Sequence, residues 1–527
     1  MLYNLNKSIK TRFAYTMIVV VIISILIMTI MKYLSLHSSY FDLGVFSNNL
    51  FLINSNSDFG LLFAGHAQPY LWFYSFIFSF VPKGYGSLAI IVIQVLMLML
   101  PLFWLVKRYS LIYTVAYLSF FPLWFNLLND FHVDHLAVPL LFYFFITIED
   151  RHYNKAFTVA ILLALVKEVF ALQTIACGIY LILSILKIKH SKQININENK
   201  KNIFLGIVLI IFGFVYFYII HNVVFPIVLD SSVSRLNSSA YAWLGSGIMD
   251  MIYNIVSSPV YIMKEMFSSN EKIVYVLALF GSLGFVPLFS YRPLLVAAPI
   301  LFVSLLSQNP NYYGLGHHYT AGLIAPFIFS FIYGLEKVVS FFCKTERRGS
   351  VFFVVLILGL LMSNIVLSPS PIGRLFWSEK IWNYNYNAYL LTDRTAMIKQ
   401  AIDQIIPIND SISISVQNTL NWEPLALRNC FLVFPQGVGV IGYQNDYDRC
   451  NNEKNGGDGL IMADYVVLDI KRPWFLLDKG CDWLYGKCTD NKLAKEYLEW
   501  VEKTRKIMQV VFERDGFIIL QRNNNSR

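Results

Sequence analysis

The stretch FAYTMIVVVIISILIMTIM, Phe13 to Met31, runs without a single charge. A hydrocarbon core of about 30 Å is crossed by about 20 apolar residues in a helix, so a run of this kind has few destinations other than a membrane. Similar runs recur at 86–106, 110–128, 133–149, 156–188, 203–227, 272–290, 293–307, 316–341 and 350–368. The 156–188 run is too long for one crossing at about 1.5 Å per residue, and Lys167-Glu168 stands in its middle. Two helices meeting at that pair bring the expected count to eleven transmembrane helices. A hydrophobic fraction of 56% against 14% charged residues fits a polytopic α-helical membrane protein and no soluble class. The first run follows Lys7, Lys10 and Arg12, is longer than a signal-peptide core and lacks a small-residue cleavage pattern, so it reads as a retained span.

The net charge of +9 raises the question of nucleic acid. Threading the chain with its N-terminus in the cytoplasm sends Lys107, Arg108, Arg151, Lys155, the cluster from Lys187 to Lys201, Arg292 and the group from Lys337 to Arg348 to the cytoplasmic side. Lys32, Lys83, Arg235, Lys264 and Lys272 are left outside. Orientation in the cell (plasma) membrane accounts for the basic excess, and no nucleic-acid partner is expected. Residues 69–82, PYLWFYSFIFSFVP, are too short to cross and read as an interfacial helix in the first external loop, with Tyr70, Trp72 and Tyr74 at headgroup level.

The chain divides into a transmembrane domain, 1–368, and a small extracytoplasmic α/β domain, 369–527, where charges become frequent. The segments 411–416, 431–434, 465–470 and 516–522 read as strands, and 394–405 and 493–509 as amphipathic helices. Cys430, Cys450, Cys481 and Cys488 all fall in this domain, an even number that predicts two disulfides of undetermined connectivity. No C-x2-C pair favours zinc.

On the external side, five separated segments deliver titratable groups: Asp42; His66; Asp130, His132, Asp134 and His135; Lys167 and Glu168; and His317 and His318. Each has a bland reading, as helix cap, interfacial imidazole or self-satisfied pair. Incidental polarity would be shared between the two faces, and gathering on one face points to an outward-opening polar cavity.

The blocks YFDLGVFSNNL, GHAQPYLWFYSFIFSFVP, DFHVDHLAVPLL, LLALVKEVFALQ and HHYTAGLIAPFIF resemble a large family of uncharacterised archaeal and bacterial polytopic membrane proteins. That family is classed with the GT-C glycosyltransferase superfamily, alongside protein O-mannosyltransferases, aminoarabinose transferases and oligosaccharyltransferases. The tail segment 406–435 is similar to the family's extracytoplasmic region. The resemblance implies a GT-C-like fold and a sugar donor carried on a polyprenyl phosphate or diphosphate, with the site on the external face. It also implies an acid in the first external loop, the position that Asp42 occupies, and a lysine at the turn where Lys167 stands.

The residue types suit that chemistry, with Asp42 taking a proton from an acceptor hydroxyl and Lys167 holding the donor phosphate. Glu168, His66, His317 and His318 are further substrate-binding candidates. Asp130, His132, Asp134 and His135 can hold a divalent metal such as Mn2+, Mg2+ or Zn2+, or hydrogen-bond sugar and phosphate without one. In a helix, i,i+4 spacing would join Asp130 to Asp134 and i,i+3 spacing His132 to His135. Asp42 lacks a second acid beside it, so no Asp-x-Asp metal motif is present there. The segment 228–271 is long enough for a lid or acceptor-binding loop. The expected partners are the lipid-linked donor, membrane lipids and a glycan, lipid or protein acceptor. A transporter or flippase of lipid-linked substrates, or a non-catalytic receptor or scaffold, is the alternative.

Overall fold

The computed structural model describes residues 7–189, 196–228, 240–342, 345–378, 384–438, 463–472 and 491–523. Its helices in chain order are α1 (Lys7–Leu34), α2 (Val45–Asn56), α3 (Tyr70–Phe80), α4 (Gly86–Arg108), α5 (Leu111–Ser119), α6 (Phe121–Leu128), α7 (Ala137–Glu149), α8 (Tyr153–Ala164), α9 (Val169–Lys189), α10 (Ile196–Ile219), α11 (Phe225–Val228), α12 (Ile248–Ser257), α13 (Pro259–Met266), α14 (Asn270–Gly281), α15 (Tyr291–Leu306), α16 (Ala321–Phe342) and α17 (Glu346–Leu367). The chain is thus a multi-pass membrane protein with a small sheet in its C-terminal part.

Eleven crossings were expected, and the described residues contain six helices long and apolar enough to cross, or seven counting α5 and α6 as one span bent by 59°. The remaining four apolar runs carry shorter helices, α7, α8, α14 and α15, of 13, 12, 12 and 16 residues. The breaks have visible causes. Pro122 sits in the first turn of α6, where its ring cannot continue α5. After α14 the chain turns through Gly284 and Phe285, both at positive φ, and Pro287 opens a short 3-10 turn. Lys167 and Glu168 do stand in the turn between α8 and α9, as the long run required.

α3 is too short to cross at 11 residues. It buries Leu71, Tyr74 and Phe78 against its neighbours and turns Trp72, Phe73, Phe76 and Phe80 outward, half to three-quarters exposed. An apolar face of this kind is stable beside lipid and costly in water.

α9 and α10 are held close by small residues at heptad spacing. A Cβ on Gly178 would come within 2.6 Å of the Gly206 carbonyl oxygen, and one on Gly213 within 2.6 Å of the Ala171 carbonyl oxygen. Backbones approach this closely where no side chain intervenes, which gives apolar helices the dispersion contact that replaces a hydrophobic driving force in lipid.

The sheet has strands β1 (Ile414–Val416), β2 (Phe431–Val433), β3 (Tyr465–Asp469), β4 (Met508–Arg514) and β5 (Phe517–Arg522) in the order β2-β1-β3-β5-β4. β1 pairs parallel with β2 and β3, while β5 is antiparallel to β3 and β4. Strand periodicity splits the apolar residues: Val467 and Ile519 face one cluster with the helix Asp393–Ile405, and Val466, Ile518 and Leu520 face another with Tyr497 and Val501. The four expected strands are present. β4 departs from the expectation of helix to residue 509, because the helix Asn491–Ile507 ends and the chain returns through a hairpin with Asp515 and Gly516 at positive φ.

Leu36 and Tyr40 belong to the first of these sheet clusters, so the chain leaving α1 is part of the sheet's core. Polar seams reinforce the dock. Ser35 Oγ donates to the Ala388 carbonyl at 2.6 Å, Asn48 Nδ2 to those of Ala426 and Arg428, and the buried Glu423 carboxylate accepts N–H groups from Gly84 and Ser87 at the start of α4. Cys430 is disulfide-bonded, and Cys343, Cys450, Cys481 and Cys488 lie outside the described residues.

Gly178→Val is expected to cost about 1–3 kcal/mol by forcing α9 and α10 apart. Gly359→Ala in α17, where a Cβ meets nothing within 4 Å, is expected to be neutral or to stabilise by up to about 1 kcal/mol. Thermal unfolding of detergent-purified variants checks the contrast.

Candidate functional site

The loop from Asn129 to Leu136, between α6 and α7, starts in extended backbone and closes as a 3-10 turn over Val133–Leu136. Extended residues alternate direction, so the helical spacings that would have paired Asp130 with Asp134 and His132 with His135 do not form. The four titratable side chains instead reach four different partners.

Asp130 is structural. Its carboxylate accepts the Ser39 N–H at 2.6 Å and the Ser39 hydroxyl at 2.9 Å, and lies 3.6 Å from the Lys32 ammonium, with side-chain exposure of 5% and 3% for the ionic pair. Lys32 also donates to the Leu128 carbonyl. A buried charge persists only when its hydrogen-bonding capacity is met, and this one is met from α1 and from the loop after it.

His132 faces Asp42, with Nε2 and Oδ1 separated by 3.2 Å. Asp42 occupies a π-helical turn, Tyr40–Gly44, held on its other side by the C-terminal segment: Asn418 takes the Tyr40 N–H on its carbonyl at 2.7 Å and the Phe41 N–H on its side chain at 3.3 Å. Burial opposes ionisation of both partners and is outweighed by their mutual attraction, so the Asp42 carboxyl is lowered and the His132 imidazole raised from their usual values. The Asp42 side chain keeps 34% of its surface exposed, whereas Asp130 and Asp134 are at 5% each. Of the three acids, Asp42 is the one a substrate can touch. His132 stacks on His318 with ring centres 3.4 Å apart, and Asn129 holds His318 Nδ1 at 3.0 Å. Tyr384, from the C-terminal part, donates to the Gly316 carbonyl at 3.0 Å. His317 lies nearby and is pushed down to about 4 by burial, with the Asp42 carboxylate pulling the other way.

Asp134 pairs with Lys167 at 3.5 Å, and both are buried. Glu168, next in the chain, receives His66 Nδ1 at 2.6 Å and the Ala67 N–H at 2.9 Å. Burial would raise its carboxyl, but His66 overrides that and takes it down to about 2. His135 hydrogen-bonds Tyr74 of α3 at 2.7 Å and is fixed as a scaffold group.

A cavity of about 880 Å³ opens from this second cluster. Its polar end carries His66, Asp134, Lys167, Glu168 and the stacked rings of Tyr312 and Tyr319, whose centres are 4.4 Å apart. Its walls are apolar, from α10, α12 and α15, including Phe214, Phe217, Met249, Ile252, Ile300 and Val303. α12 belongs to the long 228–271 segment, so part of that segment walls the cavity. His221 lines it from a second π turn, Ile220–Val224, within the α10 span; π turns recur at functional sites because they aim a side chain off the regular helical ladder. Asp42 and His132 do not line the cavity. Tyr319 packs tilted on His318 with ring centres at 4.3 Å, and His318 stacks on His132, so the rings of His318 and Tyr319 lie between the Asp42 pair and the Lys167 end.

Among the described residues, no group of three or more His, Cys, Asp or Glu side chains is arranged to hold a metal ion. The donors proposed for that role are divided among Lys32, Asp42, Lys167 and Tyr74. Several groups that build the site carried no sequence signal: Gln94, in mid-α4, accepts the His132 N–H at 3.0 Å and donates to the Asn126 and Asn129 carbonyls, and Ser39, Lys32 and Tyr384 act through contacts far away in the chain.

Residues 32–420 match the family described as "Predicted membrane protein (DUF2079)", and the chain belongs to that family. No curated protein and no solved structure matches the chain.

Asp130→Ala is expected to destabilise the fold by about 3–5 kcal/mol, because Lys32 would be left buried and unpaired. Asp42→Asn, at a partly exposed carboxylate, is expected to change stability by less than about 1 kcal/mol. Denaturant titration in detergent separates the two. The raised His132 imidazole binds its proton more tightly in the folded than in the unfolded protein. Its stabilising contribution is therefore full below about pH 6.5 and lost as pH rises through the folded value. The gap in Tm between wild type and His132→Gln should be wide near about pH 6 and narrow toward about pH 9.

Proposed function

We propose that this member of the DUF2079 family is a membrane glycosyltransferase of GT-C type, which moves a sugar from a polyprenyl-phosphate-linked donor to an acceptor on the extracytoplasmic face. The observation that carries the reading is the cavity with a long apolar wall and a charged end, set beside an accessible carboxylate. An amphiphile with an isoprenoid tail and an anionic head matches both halves of that cavity. Lys167, buried and at the polar end, is the group for the phosphate, where an ammonium acts as a point charge.

In the transfer step an acceptor oxygen forms a bond to the anomeric carbon, and the bond from that carbon to the phosphate oxygen breaks. The bonding pair leaves with the polyprenyl phosphate, and the acceptor proton passes to Asp42. The Asp42 carboxylate is held ionised by His132, so it stands ready to accept that proton at neutral pH. The developing charge on the phosphate is met by Lys167, in a site whose low polarity strengthens the interaction. His132, fixed by Gln94 and stacked on His318, orients Asp42 as the Tyr40–Gly44 turn presents it. The outward-facing aromatics of α3 suit a helix lying at headgroup level, and Asn418 of the C-terminal segment accepts the Tyr40 N–H from the turn that carries Asp42.

Purified protein supplied with radiolabelled polyprenyl-phosphate sugars and membrane extract should transfer label. Asp42→Asn should reduce transfer by about 10²–10⁴-fold without loss of folded protein. Equal transfer by wild type and Asp42→Asn would remove Asp42 from the chemistry.

A further inference from the structure

The loop GHAQP, between the Phe59–Leu62 turn and α3, sends an imidazole into the cavity. Ala67 is buried against Ile220 and Phe225, which pins the loop to the α10 span. His66, one residue earlier, keeps 41% of its side chain exposed and lines the cavity. Its Nδ1 lies 2.6 Å from Glu168 Oε1, and Glu168 Oε2 accepts the Ala67 N–H at 2.9 Å. Both oxygens of a buried carboxylate thus orient one short stretch of loop. An Nδ1–H given to a carboxylate fixes the tautomer, and Nε2, on the opposite edge of the ring, is left to the cavity. Lys167 and His66 both lie near enough to Glu168 to lower its carboxyl, so ammonium and imidazole share one end of the cavity.

Resting on the transferase reading above, we propose that His66 is the catalytic acid for the departing carrier phosphate, with Glu168 as its positioning residue. As the bond from the anomeric carbon to the phosphate oxygen breaks, the electron pair stays on that oxygen and the Nε2 proton of the imidazolium moves to the phosphate. The carrier leaves as a monoanion and His66 becomes neutral. The acceptor proton goes to Asp42, so one proton enters the protein there and one leaves at His66, and exchange with water restores both. An unprotonated carrier would be a dianion beside Asp134 and Glu168, which line the same end of the cavity as Lys167. One proton halves that charge as it develops, where its effect falls on the transition state. A phosphomonoester takes up its second proton near about pH 6, in the range where imidazoles exchange theirs, so the transfer is close to balanced at working pH.

The charged and titratable groups facing His66 are Glu168 and Lys167 from the α8–α9 turn, Asp134 from the 129–136 loop, Tyr216 and His221 from the α10 span, and His318 before α16. A pH profile must therefore be tied to His66 by substitution. The full chain in detergent is assayed for initial transfer rate with saturating radiolabelled polyprenyl-phosphate sugars and membrane extract, from about pH 5.5 to about pH 9. Wild type should lose rate as pH rises and the acid gives up its proton. His66→Asn keeps an amide N–H where Nδ1 stands, so the Glu168 contact survives, and it removes Nε2; His66→Gln replaces it should that variant fold poorly. The variant is expected to lower kcat by about 10²-fold with little change in KM, and its residual rate should no longer fall toward alkaline pH. An unchanged rate, or a lowered rate that still falls with pH as wild type does, overturns the assignment of His66 and leaves the transferase reading standing. Absence of transfer by wild type at every pH overturns the transferase reading and the assignment with it.

Discussion

Asp130 lies at the end of an apolar helix bundle with its carboxylate divided between Lys32 and Ser39, and the rest of the site is arranged around that pairing. Removing a carboxylate and an ammonium from water is tolerable when each finds the other and further donors. The pair ties the end of α1 to the loop after α6. It thereby fixes the start of the turn that carries Asp42 and the loop that carries His132 and Asp134. Two residues beyond Asp130 the chain meets Asp42, and two further on it meets Lys167. A single short loop connects the structural, the accessible and the cavity-facing ion pairs.

The C-terminal segment participates directly. Asn418 receives backbone N–H groups from the Asp42 turn, Tyr40 donates its hydroxyl to the Phe431 carbonyl at 2.8 Å, and Glu423 caps the start of α4. A sheet whose core includes Leu36 and Tyr40 holds the turn that carries Asp42 in place. The conformation at Asp42 therefore depends on contacts made almost four hundred residues later in the chain.

Much of this was legible from the sequence where one local property decides the outcome. Apolar runs marked the long helices, Lys167-Glu168 marked the break between α8 and α9, and short apolar runs of strand length marked four strands. Composition fixes how apolar a segment is and leaves open how it is broken, so the runs that carry α7, α8, α14 and α15 read as full crossings where the structure has helices of 12 to 16 residues. β4 was partly read as helix because KIMQVVFER satisfies both periods until the hairpin at Asp515-Gly516 pairs it with β5. At the site, the titratable residues were visible as types, but their partners were not. The opposed fates of Asp130, Asp134 and Asp42 follow from which element faces each, and the roles of Gln94, Ser39 and Tyr384 follow from contacts that no local pattern encodes.

The central claim is that the Lys167 cavity and the Asp42 pair form one transfer site, although the rings of His318 and Tyr319 stand between them in this state. The most direct measurement is a cryo-electron microscopy map of the protein with a non-transferable polyprenyl-phospho-sugar analogue. The account predicts the phosphate within about 3–4 Å of Lys167 Nζ, the isoprenoid along the α10 and α12 wall, and the sugar reaching toward Asp42 past a displaced Tyr319. A phosphate bound away from Lys167, or a sugar left on the far side of unmoved rings from Asp42, would contradict it.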